Sequence, residues 1–156
     1  MDELIKLCAK YLIVIPVLVE LYIFWKLDKN GRREMIKVVL GTAILALILA
    51  KLGSHAYSDP RPQFSDGATP LFPHGNDNGF PSDHTLLASV LALGAYKFNK
   101  RVGYALFAVA LVIGWARVAA HVHHVADIIG SIVIAAIAYF IVIKLVDHPQ
   151  RDGKQS

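Results

Sequence analysis

Apolar residues gather into five long stretches, over residues 4–27, 35–52, 82–98, 102–120 and 126–146. A helix needs about 20 residues to cross the hydrocarbon core of a bilayer. The pattern therefore predicts an all-α membrane bundle of five transmembrane helices. Residues 1–156 form one domain, and residues 53–81 form a long polar loop. The third stretch is the shortest, and its polar first turn suits the interface. The first is densest over residues 11–25, carries Pro16 as a bend and is interrupted by Glu20. A carboxyl at that depth must face the bundle, and packing explains it better than a substrate contact. No internal repeat or low-complexity tract is visible, and the chain after Asp147 reads as a frayed polar tail.

The connections sort by charge. Lys26, Lys29, Arg32, Arg33 and Lys37 surround the first, and Lys97, Lys100 and Arg101 the third; Lys144, Arg151 and Lys154 close the chain. If five helices alternate, these eleven of the 16 basic residues share one side. The positive-inside rule makes that side cytoplasmic. The N-terminus is then outside and the C-terminus inside. Lys6, Lys10, Lys51, Arg61 and Arg117 remain on the outer side.

This sorting changes the meaning of the net charge of +4, which alone would suit a nucleic-acid binder. With 55% apolar residues and a mean hydropathy of +0.48, the chain reads as a membrane protein, with no nucleic-acid partner. Its one cysteine, Cys8, excludes an intrachain disulfide and a cysteine metal site. The start Met1-Asp2-Glu3 lacks the basic opening of a signal peptide, so the first stretch is expected to stay in the mature protein.

Three polar clusters fall at the outer ends of the predicted helices: Asp59-Pro60-Arg61-Pro62, then Pro81-Ser82-Asp83-His84-Thr85, then Arg117 with His123 and Asp127. His123 and Asp127 are four apart, a spacing that shares one helix face. The carboxylate can then hold the Nδ1 proton and aim Nε2 at a substrate, as suits a nucleophile toward phosphorus. Arg117 ends the preceding helix, where a short turn folds its fork back over the same spot for bidentate phosphate binding. Ser82 is a candidate N-cap, and the first-turn N–H groups behind it make an anion site. His84, inside that turn, is placed to protonate a leaving oxygen. Arg61 is stiffened between two prolines.

Together, Pro-Arg-Pro, Pro-Ser-Asp-His and Arg-x5-His-x3-Asp resemble the three-part signature of the type 2 phosphatidic acid phosphatase superfamily. The resemblance covers about residues 51–130. His74, Asp77-Asn78-Gly79-Phe80 and Pro81-Ser82-Asp83-His84-Thr85 look most like its bacitracin-resistance branch of undecaprenyl-diphosphate phosphatases. The resemblance implies that His123 attacks phosphorus and becomes a phosphohistidine, that Asp127 orients it and that His84 is the general acid. Arg61, Arg117, Ser82 and Asp83 would hold the phosphoryl oxygens, with no metal and no cofactor. The family lysine, seven residues before the first arginine, is here Ser54; Lys51 is the candidate replacement. Gln63 stands where the branch usually has phenylalanine.

The substrate implied is undecaprenyl diphosphate, hydrolysed to undecaprenyl phosphate and phosphate on the exterior or periplasmic side of the cell membrane. That step recycles a peptidoglycan lipid carrier and underlies bacitracin resistance. Phosphatidylglycerol phosphate, phosphatidic acid and lipid A phosphate are the alternatives within the superfamily. Two rivals come from other classes. His121, His123 and His124 above Asp127 could bind zinc, although no His-Glu-x-x-His motif is present. A non-enzymatic carrier or headgroup-binding protein would also place polar residues at the membrane surface.

Overall fold

Pro16 divides the first apolar stretch, but one turn before itself. Its ring excludes a helical carbonyl four residues back, at Leu12, and the helix breaks at Leu12–Ile13 into α1 (Asp2–Tyr11) and α2 (Val14–Lys26). Pro16 then sits in the first turn of α2, where a missing N–H costs nothing. The computed structural model describes residues 1–147, and its regular elements are helices, with no strand among the described residues. The basic tail residues Arg151 and Lys154 lie outside it.

The next helix is longer at both ends than the hydrophobic pattern suggests. Asp28 caps α3 (Lys29–Ala56) by accepting from Gly31 N at 2.9 Å, so helix begins well before the apolar run. It also continues past Lys51 and Ser54, which moves the start of the loop to Tyr57. A one-turn helix α4 (Pro62–Ser65) lies in the loop. Then follow α5 (Asp83–Phe98), α6 (Lys100–Ala119) and α7 (Val125–Val146). Asn99 turns α5 into α6 by accepting from Arg101 N and Val102 N at 3.1 and 3.2 Å.

Among the described residues, four stretches are long and apolar enough to cross a membrane: Asp2–Lys26, Lys29–Ala56, Lys100–Ala119 and Val125–Val146. The 16-residue α5 falls short of that length. It is instead the most enclosed helix, buried from Thr85 to Ala95 along most of its circumference.

Small residues bring the helices together. Ala46 and Ala50 of α3, Leu86 and Val90 of α5, and Ala135 and Ala138 of α7 form one core cluster. Among membrane helices such residues permit close backbone approach, where packing rather than hydrophobicity drives association. At Gly103 a Cβ would lie 2.5 Å from the Tyr96 backbone. Gly103→Ala is therefore expected to destabilise the α5–α6 hairpin by about 1–3 kcal/mol, read as a lower melting temperature in detergent. An unchanged melt would show that the hairpin has slack there.

The two bundle ends differ in chemistry. At one end Lys97 bridges Asp147 at 2.7 Å and Glu34 at 3.4 Å, tying the end of α5 to the end of α7 and the start of α3. Arg32 donates to the carbonyls of Phe24 and Trp25 there, joining α3 to α2. The opposite end carries the 57–82 loop and every cluster singled out above.

Candidate active site

Asn78 organises the loop. Its amide donates to Ser54 O and Tyr57 O at 2.8 and 2.9 Å, and its Oδ1 accepts from Asp59 N and Phe80 N at 2.9 and 3.1 Å. Four backbone groups thus find one side chain, and the loop is clamped to the end of α3. Gly79 N donates to Asp59 O at 2.8 Å. Phe80 lies against Gly130 of α7, where a Cβ would fall 2.2 Å from its ring. Gln63, the departure from the family pattern, donates to His74 O at 3.0 Å and holds that histidine's backbone.

His123 lies at the centre. It belongs to the turn before α7, not to the helix face that the four-residue spacing suggested. From that turn its Nδ1 still meets Asp127 Oδ2 at 3.1 Å, and the same oxygen accepts from His124 N at 2.9 Å. Asp127 therefore both caps α7 and holds the ring. Nε2 faces two guanidinium groups, Arg117 Nη2 at 3.2 Å and Arg61 Nη1 at 3.3 Å. Arginine has no lone pair to offer, so the hydrogen-bond pattern assigns the proton to Nδ1 and the lone pair to Nε2. Burial lowers the His123 pKa, against the pull of Asp127, and the two arginines add to the lowering. A neutral imidazole with its free nitrogen between two cations can form a bond to an anion brought there.

Both arginines are buried and held by protein partners. Arg61 gives its Nε and Nη2 to Asp77 at 2.8 and 3.0 Å, and its Nη1 to Val122 O at 2.9 Å. Its ion pair, the largest cause, holds the Asp77 carboxyl below the usual carboxylate range. Arg117 meets His74 Nε2 at 2.9 Å and Ala9 O of α1 at 3.4 Å, and lies over the Phe72 ring. The Nδ1 of His74 faces Pro73 O at 3.2 Å, leaving Nε2 as the acceptor. Burial lowers the His74 pKa, and Arg61 and Arg117 lower it further, consistent with that neutral role.

The remaining expected residues stand on α3 and at the start of α5. Ser82 is the N-cap residue of α5 by position, but its side chain makes no capping bond; its Oγ accepts from Thr85 Oγ1 at 3.2 Å. The first-turn N–H groups of α5 are thereby left without a side-chain cap. His84 is half-buried in that turn, within electrostatic range of Arg117, His123 and His74. Asp83 is exposed and its carboxylate would repel a phosphate, so only its backbone N–H suits the expected binding role. Lys51 is exposed and lines a cavity of about 340 Å³ with Ser54, Arg61, Asp77, Asn78 and Asp83. It shares Arg61's cavity from one turn below the family position.

Four contributors were not assigned roles from the sequence: His74, Asp77, Asn78 and the α1 carbonyl of Ala9. The motif around residues 74–80 contained the first three, but only the folded loop shows which side chains they hold. The zinc reading of His121, His123 and His124 changes. His123 is turned to the arginines, and His121 is exposed at a left-handed φ of 55°. Among the described residues, the group with metal-ligand proximity is Asp59, His124 and Asp127.

Residues 36–151 match the family described as the PAP2 superfamily. Undecaprenyl-diphosphatase BcrC of Bacillus subtilis (strain 168) is 29% identical over 94% of this chain and 76% of its own length. The putative undecaprenyl-diphosphatase YbjG of Escherichia coli (strain K12) is 30% identical over 80% of this chain, which spans 63% of that relative. The crystal structure of Aquifex aeolicus LpxE superposes with a TM-score of 0.72 at 26% identity, covering 92% of this chain and 85% of LpxE. A PAP2-type phosphatidylglycerolphosphate phosphatase from Bacillus subtilis shares the fold, with a TM-score of 0.64 at 23% identity over 97% of this chain and 79% of its own. The family match begins in α3 and runs through the whole site, on a bundle of apolar helices that solved family members share: the chain is a multi-pass membrane protein and belongs to the PAP2 superfamily.

Proposed function

We propose that the protein hydrolyses undecaprenyl diphosphate to undecaprenyl phosphate and phosphate through a phosphohistidine at His123. The observation that carries this reading is the position of His123 Nε2, 3.2 and 3.3 Å from two buried arginines, with Nδ1 held by a fully buried Asp127. The Nε2 lone pair forms the N–P bond as the bond from phosphorus to the lipid-side oxygen breaks. Arg61, Arg117 and the α5 first-turn N–H groups stabilise the charge that develops on the phosphoryl oxygens. His84 gives a proton to the leaving oxygen where one is needed. Water then attacks the phosphohistidine, gives a proton to His84 and releases phosphate, restoring His123. No step calls for a metal.

The same reading makes α5 a fifth crossing. Five crossings put α3, α5, α6 and α7 in alternating order, with the Lys97–Asp147–Glu34 end cytoplasmic. The site then faces the exterior or periplasm, and the N-terminus lies on that side. The choice of diphosphate follows the similarity to BcrC. The fold shared with LpxE and a phosphatidylglycerolphosphate phosphatase supports lipid monophosphates as the competing substrates.

Phosphate release by purified protein from undecaprenyl diphosphate, phosphatidylglycerol phosphate, phosphatidic acid and a lipid A phosphate tests this, with chelator present. Preference for the diphosphate is expected; preference for any monophosphate overturns the substrate assignment, and no turnover overturns the enzyme. His84→Ala adds a mechanistic test. Undecaprenyl phosphate leaves as a phosphomonoester that needs little protonation, whereas an alcohol leaves badly without it. The variant should keep a larger fraction of its activity on the diphosphate than on phosphatidic acid. Equal fractional losses would remove His84 as the general acid.

A further inference from the structure

Beside the His123 site lies a second constellation that shares only Asp127 with the phosphatase chemistry. We propose that Asp59, His124 and the free oxygen of Asp127 form a divalent transition-metal site, of zinc type, whose occupation switches the phosphatase off. The inhibitory part rests on the reading that Asp127 orients His123.

One ligand atom from each of the three residues lies within 4.8 Å of the others. His124 Nδ1 is 3.1 Å from Asp59 Oδ1, close to the about 3.4 Å that separates neighbouring ligands around a tetrahedral zinc. Yet that nitrogen makes no aligned hydrogen bond: the pair has the distance of an ion pair without the geometry of a donor and acceptor. Asp127 is fully buried, its Oδ2 serves His123 and the His124 backbone, and its Oδ1 has no hydrogen-bond partner. A buried carboxylate oxygen left unpaired is costly, and a second carboxylate beside it raises the cost. A cation relieves both.

The outer shell also fits. A metal-bound histidine usually passes its other ring N–H to a carboxylate. His124 Nε2 lies 3.2 Å from Asp66 Oδ2 and 3.4 Å from Ser65 Oγ, at the solvent edge. That contact fixes Nδ1 as the nitrogen turned inward. Asp59 is held from behind by Asn78 at its backbone N–H and by Gly79 at its carbonyl. Two carboxylates and one neutral imidazole carry the charge that a dication neutralises. A nitrogen ligand and only three protein donors suit zinc and its neighbours, not magnesium or calcium, which favour all-oxygen sites.

The coupling is electrostatic. Asp127 is shared: the carboxylate that holds His123 Nδ1 would also bind the cation. Its charge would be drawn from the imidazole, which then loses support as positive charge grows on the ring during attack. The alternative relief, a proton between the two carboxylates, predicts no metal binding.

Zinc chloride titrated calorimetrically into untagged full-length protein in detergent tests the site. One zinc per wild-type chain is expected. Asp59→Asn and His124→Asn should each weaken binding more than tenfold, and Asp66→Ala about tenfold. His123→Ala should bind as wild type does. In parallel, zinc should inhibit phosphate release by wild type and leave Asp59→Asn uninhibited at the same concentration, while magnesium and calcium inhibit neither. Wild-type binding that survives unchanged in both Asp59→Asn and His124→Asn overturns the site, as does the absence of zinc binding. Mutation-sensitive binding with no inhibition overturns the coupling. A wild-type protein that hydrolyses no lipid overturns the phosphatase reading, and the zinc isotherms then still decide the site.

Discussion

His123→Ala is expected to lower phosphate release about 10⁴-fold or more, a loss of the size seen when an activated nucleophile is removed. Two features make the effect large. Among the described residues, His123 Nε2 is the only unprotonated ring nitrogen placed between Arg61 and Arg117; His74 Nε2 is engaged by Arg117 alone, and its Nδ1 faces Pro73 O. The ring is also buried, so solvent cannot take its place in the same geometry. Asp127→Asn should fall at least about 10²-fold, because an amide supplies no negative charge to the ring and the wrong tautomer becomes accessible. Brief exposure to substrate should label wild type with an acid-labile phosphoryl group that His123→Ala lacks. A variant that keeps wild-type turnover, or a label that persists without His123, would end the phosphohistidine mechanism.

The next largest loss is expected at Arg61. Arg61→Ala should lower kcat/KM about 10²–10³-fold, the range for removing a preorganised donor to a developing anion. Arg61 does more than present charge. Its guanidinium joins Asp77 of the loop, the Val122 carbonyl in the turn that carries His123, and Nε2 itself. Lysine has one nitrogen and cannot make these contacts together, so Arg61→Lys should recover little of the lost activity. Asp77→Asn tests the positioning separately: the charge of Arg61 remains while its aim loosens, and a loss of about tenfold is expected. Because Asp77 is largely exposed, the variant should fold, and its melting temperature in detergent checks this. Full rescue by lysine would reduce Arg61 to a diffuse positive charge.

Much of the site was legible because its chemistry is local in sequence. Arg61 between prolines, His84 in a helix's first turn, and His123 four residues from Asp127 each suggest a role from a few neighbours. The His123–Asp127 prediction shows the limit of such reasoning. The contact exists, but His123 stands outside the helix, and Asp127 reaches back as the third residue of α7. Spacing identified the pair and misplaced its scaffold. Ser82 is the N-cap residue of α5 as expected, but its hydroxyl makes no capping bond, for a different reason. Its hydroxyl had a competing partner, Thr85, which only side-chain packing reveals. Similarly, the break in the first stretch lay in the sequence as Pro16, one turn from where the ring acts.

By itself the sequence determined the helical class, the order of the apolar stretches and which charged residues had to lie at helix ends. It did so because hydrophobic length and charge are properties of segments, independent of what those segments touch. Tertiary structure decided which side chains share an atom. That Asp77 aims Arg61, that His74 and α1 hold Arg117, and that Asp127 lies between His123 and the Asp59–His124 pair are facts of loop closure around Asn78 and of α1 packing on α6. They depend on ångström-scale approach between residues up to 108 positions apart, and no pattern along one chain encodes such distances.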